Sequence, residues 1–243
     1  MSDQAATGGV SLVMPAFNLE KEIAGNIDRT VDAMVGLASV EIIVVDDGSS
    51  DRTHQAARDA ASRHHGVTVI SHQPNRGKGA ALQAGFVATN GAEVVFLDGD
   101  LDLPPEQVPA LLERFRLADV DALVGAKQTS MEPGSYPLVR RILSRVFSGA
   151  IRLMFRLPIT ETQTGLKVFR RAALEAVMPG LRVKRYTYDL ELIVSLHKRG
   201  YRIEESPVEL SARASAGGVT IGTLWEMGRD TLRIWVRSVL GRY

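Results

Sequence analysis

An α/β fold is predicted for this chain of 243 residues, with a doubly wound, mostly parallel central sheet flanked by helices. Two observations predict it. Through the first half, short apolar runs alternate with amphipathic segments of helical period, and a βαβαβαβ order implies parallel strands joined by crossover helices. Three of the apolar runs also end in residues suited to a binding edge: Pro15, Asp46-Asp47, and Asp98-Gly99-Asp100-Leu101-Asp102. Ligands bind such sheets beyond the carboxyl ends of the strands, so the three ends should converge on one crevice.

The elements follow in order. Val10 to Met14 reads as a strand stopped by Pro15, and an amphipathic helix follows from about Glu20 to Gly36. Val40 to Val45 is a second strand, and the helix after it runs from Thr53 to His64. Val67 to Ile70 is a strand, Ala80 to Thr89 a helix, and Val94 to Leu97 a buried strand before the acidic run. A helix is expected to start near Pro104-Pro105. The second half is less regular. Asp121 to Gly125 is a short strand, Gln128 to Tyr136 a mobile loop with a Pro133-Gly134 turn, and Pro137 to Pro158 a helix. A short strand lies near Val168-Phe169, and Tyr188 to Lys198 is helical. The segment from Tyr201 extends as a strand ending near Pro207. Ser211 to Gly222 is small, polar and flexible, and Leu224 to Leu240 is a final helix.

Hydrophobic residues make up 45% and charged residues 23%, with a net charge of +1, so overall charge selects no partner. There are no cysteines, which excludes disulfides and thiolate metal sites. No apolar run approaches the roughly 18–20 residues that span a bilayer. Residues Met1 to Gly9 resemble no signal peptide and are expected to fray. The five histidines show no metal spacing, and no GxSxG is present.

Asp98, Asp100 and Asp102 alternate where a buried strand ends. Unpaired carboxylates are costly to bury, so such a cluster needs solvent or a cation. All-oxygen ligands suit Mg²⁺ or Mn²⁺, which share their shells with substrate phosphates. A solvated acidic turn is the bland alternative. Asp46 and Asp47 suit turn and cap chemistry, and Asp47 is the better placed to accept hydrogen bonds from a nucleobase or ribose. Asn75-Arg76-Gly77-Lys78-Gly79 completes neither common nucleotide fingerprint. It reads as a glycine-rich helix cap or as backbone and Lys78 beside a diphosphate.

At 100° per residue, Arg141, Arg145, Arg152 and Arg156 share a narrow arc of the Pro137–Pro158 helix, with apolar residues opposite. That pattern describes an interfacial membrane helix or a surface helix packed on its own core. Arg140 falls off the stripe beside Ser144, where a phosphate would partner it. In the final helix Arg229, Arg233 and Arg237 share a face with Glu226 and Asp230. Trp225 and Trp235 suit a bilayer interface, and plain packing is the alternative.

Together these residues resemble a family 2 glycosyltransferase of the GT-A fold. Val13-Met14-Pro15-Ala16-Phe17-Asn18 looks like the opening motif, Asp46 to Thr53 the nucleotide-binding loop, and Asp98-Gly99-Asp100 the DxD. Arg140 to Ser144, Thr162 to Phe169 and Tyr188 to Leu192 resemble polyprenyl-phosphate hexose synthases. Trp225 to Asp230 is similar to the dolichyl-phosphate glucosyltransferase branch. The processive-synthase signature QxxRW is missing.

The resemblance implies one domain over residues 1–243, with a nucleotide-binding half (10–126) and an acceptor-binding half (127–243). It implies an inverting, metal-dependent transfer of one hexose from a nucleotide sugar, UDP-glucose favoured and GDP-mannose possible, to a polyprenyl phosphate. Asp98, Asp100 and Asp102 would hold Mg²⁺ or Mn²⁺. Pro15, Phe17, Asp46, Asp47, Lys78, Asp98 and Lys127 would bind the donor. Arg140 and Ser144 would grip the acceptor phosphate, with Asp100 and Asp189 completing the catalytic set. The enzyme would sit peripherally on the cytoplasmic face of a membrane and bind no nucleic acid. Two rivals remain open: transfer to a soluble hydroxyl acceptor, and a non-catalytic nucleotide-sugar-binding module.

Overall fold

The structure is a computed structural model that describes residues 7–127, 149–211 and 221–243. Seven strands form one sheet: β1 (Thr7–Ala16), β2 (Val40–Asp46), β3 (Val67–Ser71), β4 (Gly91–Phe96), β5 (Ala122–Lys127), β6 (Lys167–Arg170) and β7 (Ile203–Val208). Their order is β3-β2-β1-β4-β6-β5-β7. Strands β1 to β4 are mutually parallel, and β5 pairs parallel with β7. Strand β6 runs antiparallel to both β4 and β5. The predicted doubly wound, mostly parallel sheet is therefore present.

Alternation along the buried strands sends side chains to two cores. On one face Val13, Ile43, Val45, Phe96 and Phe169 pack with Ala81, Leu82 and Phe86 of α3 (Lys78–Val87). The same face takes α6 (Arg171–Val177) and α7 (Tyr188–Lys198). On the other face Leu12, Met14, Val44, Val95 and Leu97 meet α1 (Ile23–Ala33), α2 (Thr53–Ala61) and α4 (Val108–Ala118). Two covered faces explain why β1, β2 and β4 read as near-continuous apolar runs.

Several boundaries differ from the sequence expectation. Strand β1 runs through Pro15 to Ala16. The ladder with β4 has already ended at Val13–Phe96, so the missing proline N–H leaves no gap there. Helix α1 begins at Ile23, not Glu20, and α3 begins at Lys78, earlier than expected. Pro207 lies inside β7, tolerated because β7 is an edge strand. Helix α6 was not anticipated; its seven residues are too short to establish a helical period. Of the predicted helix at 137–158, residues 149–155 (α5) are helical, and the chain leaves that helix at Arg156 with φ 55°. Arg140, Ser144 and Arg145 lie outside the described residues. The final helix, α8, spans Ile221–Val239.

Candidate active site

The sheet reverses direction of winding between β1 and β4, and the acidic loop after β4 is sewn to the end of β1 at that point. Leu97 N–H donates to Val13 O and Gly99 N–H to Pro15 O, each at 3.1 Å. Asn26 of α1 donates its side-chain amide to Gly99 O at 2.8 Å. Leu101 then turns the chain in the left-handed region, φ 51°, a conformation that costs about 1–3 kcal/mol for a residue with a side chain. Burial of the Leu101 side chain offsets it. Asp100 caps this turn, its Oδ1 accepting from Asp102 N–H at 3.2 Å.

A chain of alternating charges runs from the core to this loop. Lys167 is buried in β6, and its Nζ lies 2.7 Å from Asp189 Oδ1 and donates also to Thr164 O. Asp189, at the first turn of α7, faces Lys78 Nζ at 3.5 Å, and Lys78 Nζ is 2.7 Å from Asp98 Oδ1. Burial alone would raise the Asp189 carboxyl, yet Lys167 and Lys78 hold it below its ordinary value. Burial likewise works against a charged Lys78, but Asp189 and Asp98 outweigh it and keep Lys78 firmly protonated. Lys167 is pulled down by burial, against the attraction of Asp189. Asp100 is pushed up, first by partial burial and then by the negative charge of Asp98.

Asp47 organises the opposite wall. Its carboxylate accepts from the backbone N–H groups of Arg76 and Gly77, each at 2.9 Å, and from the Asn75 amide at 2.9 Å. His72 Nε2 lies 2.6 Å from Asp47 Oδ1. These bonds fold the 72–77 segment against the end of β2, with Gly77 at φ 97° opening α3 and delivering Lys78. Only glycine takes that conformation without strain. Asp46 is buried beneath, accepting from Ser49 N–H at 3.2 Å, the turn chemistry expected of it.

A cleft of about 480 Å³ opens here. It brings together Pro15, Phe17, Asp47, Lys78, Asp98, Asp100 and Asp189 from the sequence-predicted set. Lys127, at the exposed end of β5, and Asp46 do not line it. Asp102 stands on the same loop but outside the lining. Among the described residues no group of three acidic or histidine side chains is spaced to hold a metal ion. Asp100 bends back onto its own turn, and Lys78 is paired with Asp98.

The family model for glycosyl transferase family 2 matches residues 11–178. The chain belongs to glycosyl transferase family 2. It is 30% identical over 234 residues to glycosyltransferase AglD of Haloferax volcanii, covering 95% of this chain but 38% of that relative. It is 27% identical to a dolichyl-phosphate beta-glucosyltransferase of Trichomonas vaginalis, covering 96% of this chain and 75% of the other. Its fold matches that of glucosyl-3-phosphoglycerate synthase from Mycobacterium tuberculosis, crystallised with Mn²⁺, UDP and phosphoglyceric acid. There the TM-score is 0.70 at 22% identity, over 96% of this chain and 78% of the other. The GT-A architecture expected from sequence is thus present.

The glycosyltransferase cleft also holds residues that sequence reasoning did not select. Gln163, Arg185 and the exposed ring of Tyr186 line it, and Tyr186 joins exposed Phe17 as a second aromatic available for stacking on a base. Lys167 was visible only as part of the Thr162 to Phe169 motif. Gly165 lies in the same motif without a role assigned from sequence: a Cβ there would collide with the Asp98 carboxylate. Gly165→Ala is therefore expected to displace Asp98 and lower turnover by about 10–100-fold with the fold retained. Steady-state kinetics beside circular dichroism would check this, and unchanged turnover would show that Asp98 tolerates the shift.

Proposed function

We propose that this enzyme transfers one hexose, with inversion, from a nucleotide sugar to a polyprenyl phosphate at a membrane surface. The observation that carries the reading is the single cleft in which Lys78, Asp98, Asp100 and Asp189 meet beside two exposed aromatics. The relative from Trichomonas, named as a dolichyl-phosphate beta-glucosyltransferase, supports the acceptor class and glucose as the hexose.

The grouping of Asp98, Asp100 and Asp102 fits a cation, since the Asp100 carboxyl is raised first by burial and then by the negative charges of Asp98 and Asp102. Asp98 and Asp100 would hold Mg²⁺ or Mn²⁺ together with diphosphate oxygens, and the Mn²⁺ complex of the mycobacterial structure is in keeping with this. The ion would supply Lewis-acid neutralisation of the leaving diphosphate. Lys78 would add a fixed positive charge at the same group. Asp47, its oxygens committed to the Arg76 and Gly77 N–H groups and the Asn75 side-chain amide, would act by shaping the donor wall. Asp189 would orient the reacting sugar and keep Lys78 in place. Arg140 and Ser144 would receive the acceptor phosphate. A phosphate oxygen is already anionic at neutral pH, so no strong general base is required.

A panel of nucleotide sugars incubated with farnesyl phosphate, scored for glycolipid, tests the proposal. Transfer only to a soluble hydroxyl acceptor, or none with any donor, would overturn it.

Membrane contact is part of the same reading. Among the described residues no helix is long and apolar enough to cross a membrane. In α5, however, Leu153 and Met154 are exposed beside Arg152, with Arg156 next to them, while Ile151 and Phe155 are buried. Arg152→Glu with Arg156→Glu is expected to weaken binding to anionic liposomes, each basic residue near such a surface contributing about 1 kcal/mol. Cosedimentation at low salt measures it. Equal pelleting of variant and wild type would leave α5 a plain surface helix.

A further inference from the structure

A second cleft, of about 730 Å³, lies between α8 and the segment leading into α7. Arg185 lines both this cleft and the donor cleft, so the two are continuous at that residue. Its charge is one-sided. The side chains of Arg76, Arg182, Lys184 and Arg185 all border it, all are exposed, and none forms an ion pair with a described residue. Three acidic residues line it against seven basic ones, and of the acids Glu226 is exposed while the other two are already paired. Glu191 is buried against Arg237, and Asp230 is shared by Arg229 and Arg233. Helix α8 lines the cleft with Leu232, Ile234 and Val236 among the charged Glu226, Arg229, Asp230, Arg233 and Arg237. Leu232 and Val236 are exposed. Both belong to an exposed strip at helical spacing that continues to Trp225 and Val239.

An excess of cations interleaved with exposed apolar side chains matches a ligand with an anionic head and a hydrocarbon body. We infer that this second cleft is an amphipathic phosphate subsite, taking a phosphate monoester that carries an apolar chain and presenting its head to the donor cleft at Arg185. The inference rests on the proposed acceptor class and deepens it. It gives the phosphate a route along α8 in addition to the Arg140–Ser144 pair, and it gives the chain a path out along Leu232 and Val236. The surrounding structure leaves these side chains replaceable, because each is exposed and none supports the core.

The test uses the full chain and needs no turnover for its first arm. Farnesyl phosphate is titrated against the wild type by calorimetry, with inorganic phosphate as competitor. Arg76→Gln with Arg182→Gln is expected to weaken farnesyl phosphate binding about tenfold or more, as the loss of charge-assisted hydrogen bonds does. Leu232→Gln with Val236→Gln should weaken farnesyl phosphate but leave competition by inorganic phosphate unchanged. In kinetics, the arginine variant should raise the acceptor KM and keep the donor KM.

Wild-type affinity for farnesyl phosphate in both variants would overturn the inference. So would a KM shift confined to the nucleotide sugar. Loss of binding to phosphatidylglycerol vesicles with farnesyl phosphate affinity intact would assign the cleft to bilayer headgroups and overturn it as well. The two readings fail separately. Binding in the cleft without glycolipid product sinks the proposed reaction alone, whereas product formed equally well by the arginine variant sinks the subsite alone.

Discussion

Asp189→Asn is expected to cost about 3–5 kcal/mol of folding stability, the usual penalty for leaving a buried charge without its partner. Lys167 is 1% exposed, and among the described residues Asp189 is the one carboxylate paired with it, at 2.7 Å. Asparagine keeps the shape and one acceptor oxygen but removes the charge. Lys167 must then stay charged in the core or give up its proton, and the lowering already imposed on it by burial marks the second course. Lys78 loses one of its two carboxylates at the same time.

The pH dependence follows from the depressed Asp189 carboxyl. A group whose folded pKa lies below its unfolded value stabilises the fold above the unfolded value, here 3.8, and the contribution fades as pH falls through the lower folded one. The variant should therefore lose stability at neutral pH and converge on the wild type in acid. Urea melts across that range measure the difference. A companion pair separates structure from chemistry: Asp189→Leu with Lys167→Met removes both charges and should recover much of the stability but none of the transfer. Melts of Asp189→Asn within about 1 kcal/mol of the wild type would show that the ion pair is not what holds Lys167 in the core.

The fold was legible wherever a strand is buried on both faces or a helix is long. Strands β1, β2 and β4 announce themselves by apolar runs, and α7 falls on Tyr188–Lys198 as its period predicts. Strand β6 was harder to place. Its four residues carry no alternation, and its antiparallel insertion between β4 and β5 depends on partners distant in sequence. The site divides in the same way. Carboxylates ending apolar runs could be picked out because charge is conspicuous beside Val, Ile and Phe. The 72–77 segment could not be assigned a geometry, because the bonds from Asp47 that shape it cross 25 to 30 positions of chain. Arg185 and Tyr186 sit in an irregular stretch where no period singles out any residue. Lys167 was visible only within the Thr162 to Phe169 motif, and its partner on α7 was knowable only from packing.

Asp100→Asn is expected to lower turnover by about 10²–10³-fold, the scale of losing one preorganised electrostatic contact to a transition state, with little change in folding. Asp100 is exposed at the mouth of the cleft, so the fold has no need of its charge. Its carboxyl is in fact held above the ordinary range by partial burial and by Asp98 and Asp102, and neutralising it relieves repulsion. A residue that is unfavourable for the free protein and sits where the proposed donor's diphosphate would leave is one whose charge would serve the reaction. The stability sign agrees: an acid with a raised folded pKa weakens the fold as pH climbs through that value, so the asparagine variant should equal or slightly exceed the wild type at neutral pH. The effect on donor binding should depend on the ion. With Mg²⁺ or Mn²⁺ present, the wild type should bind nucleotide sugar more tightly than the variant, and in EDTA the two should coincide. Asp98→Asn should behave differently, because it also removes a partner of Lys78 and should weaken donor binding even without metal. Full wild-type activity in EDTA would eliminate the metal role for both residues and leave Lys78 as the charge that meets the diphosphate.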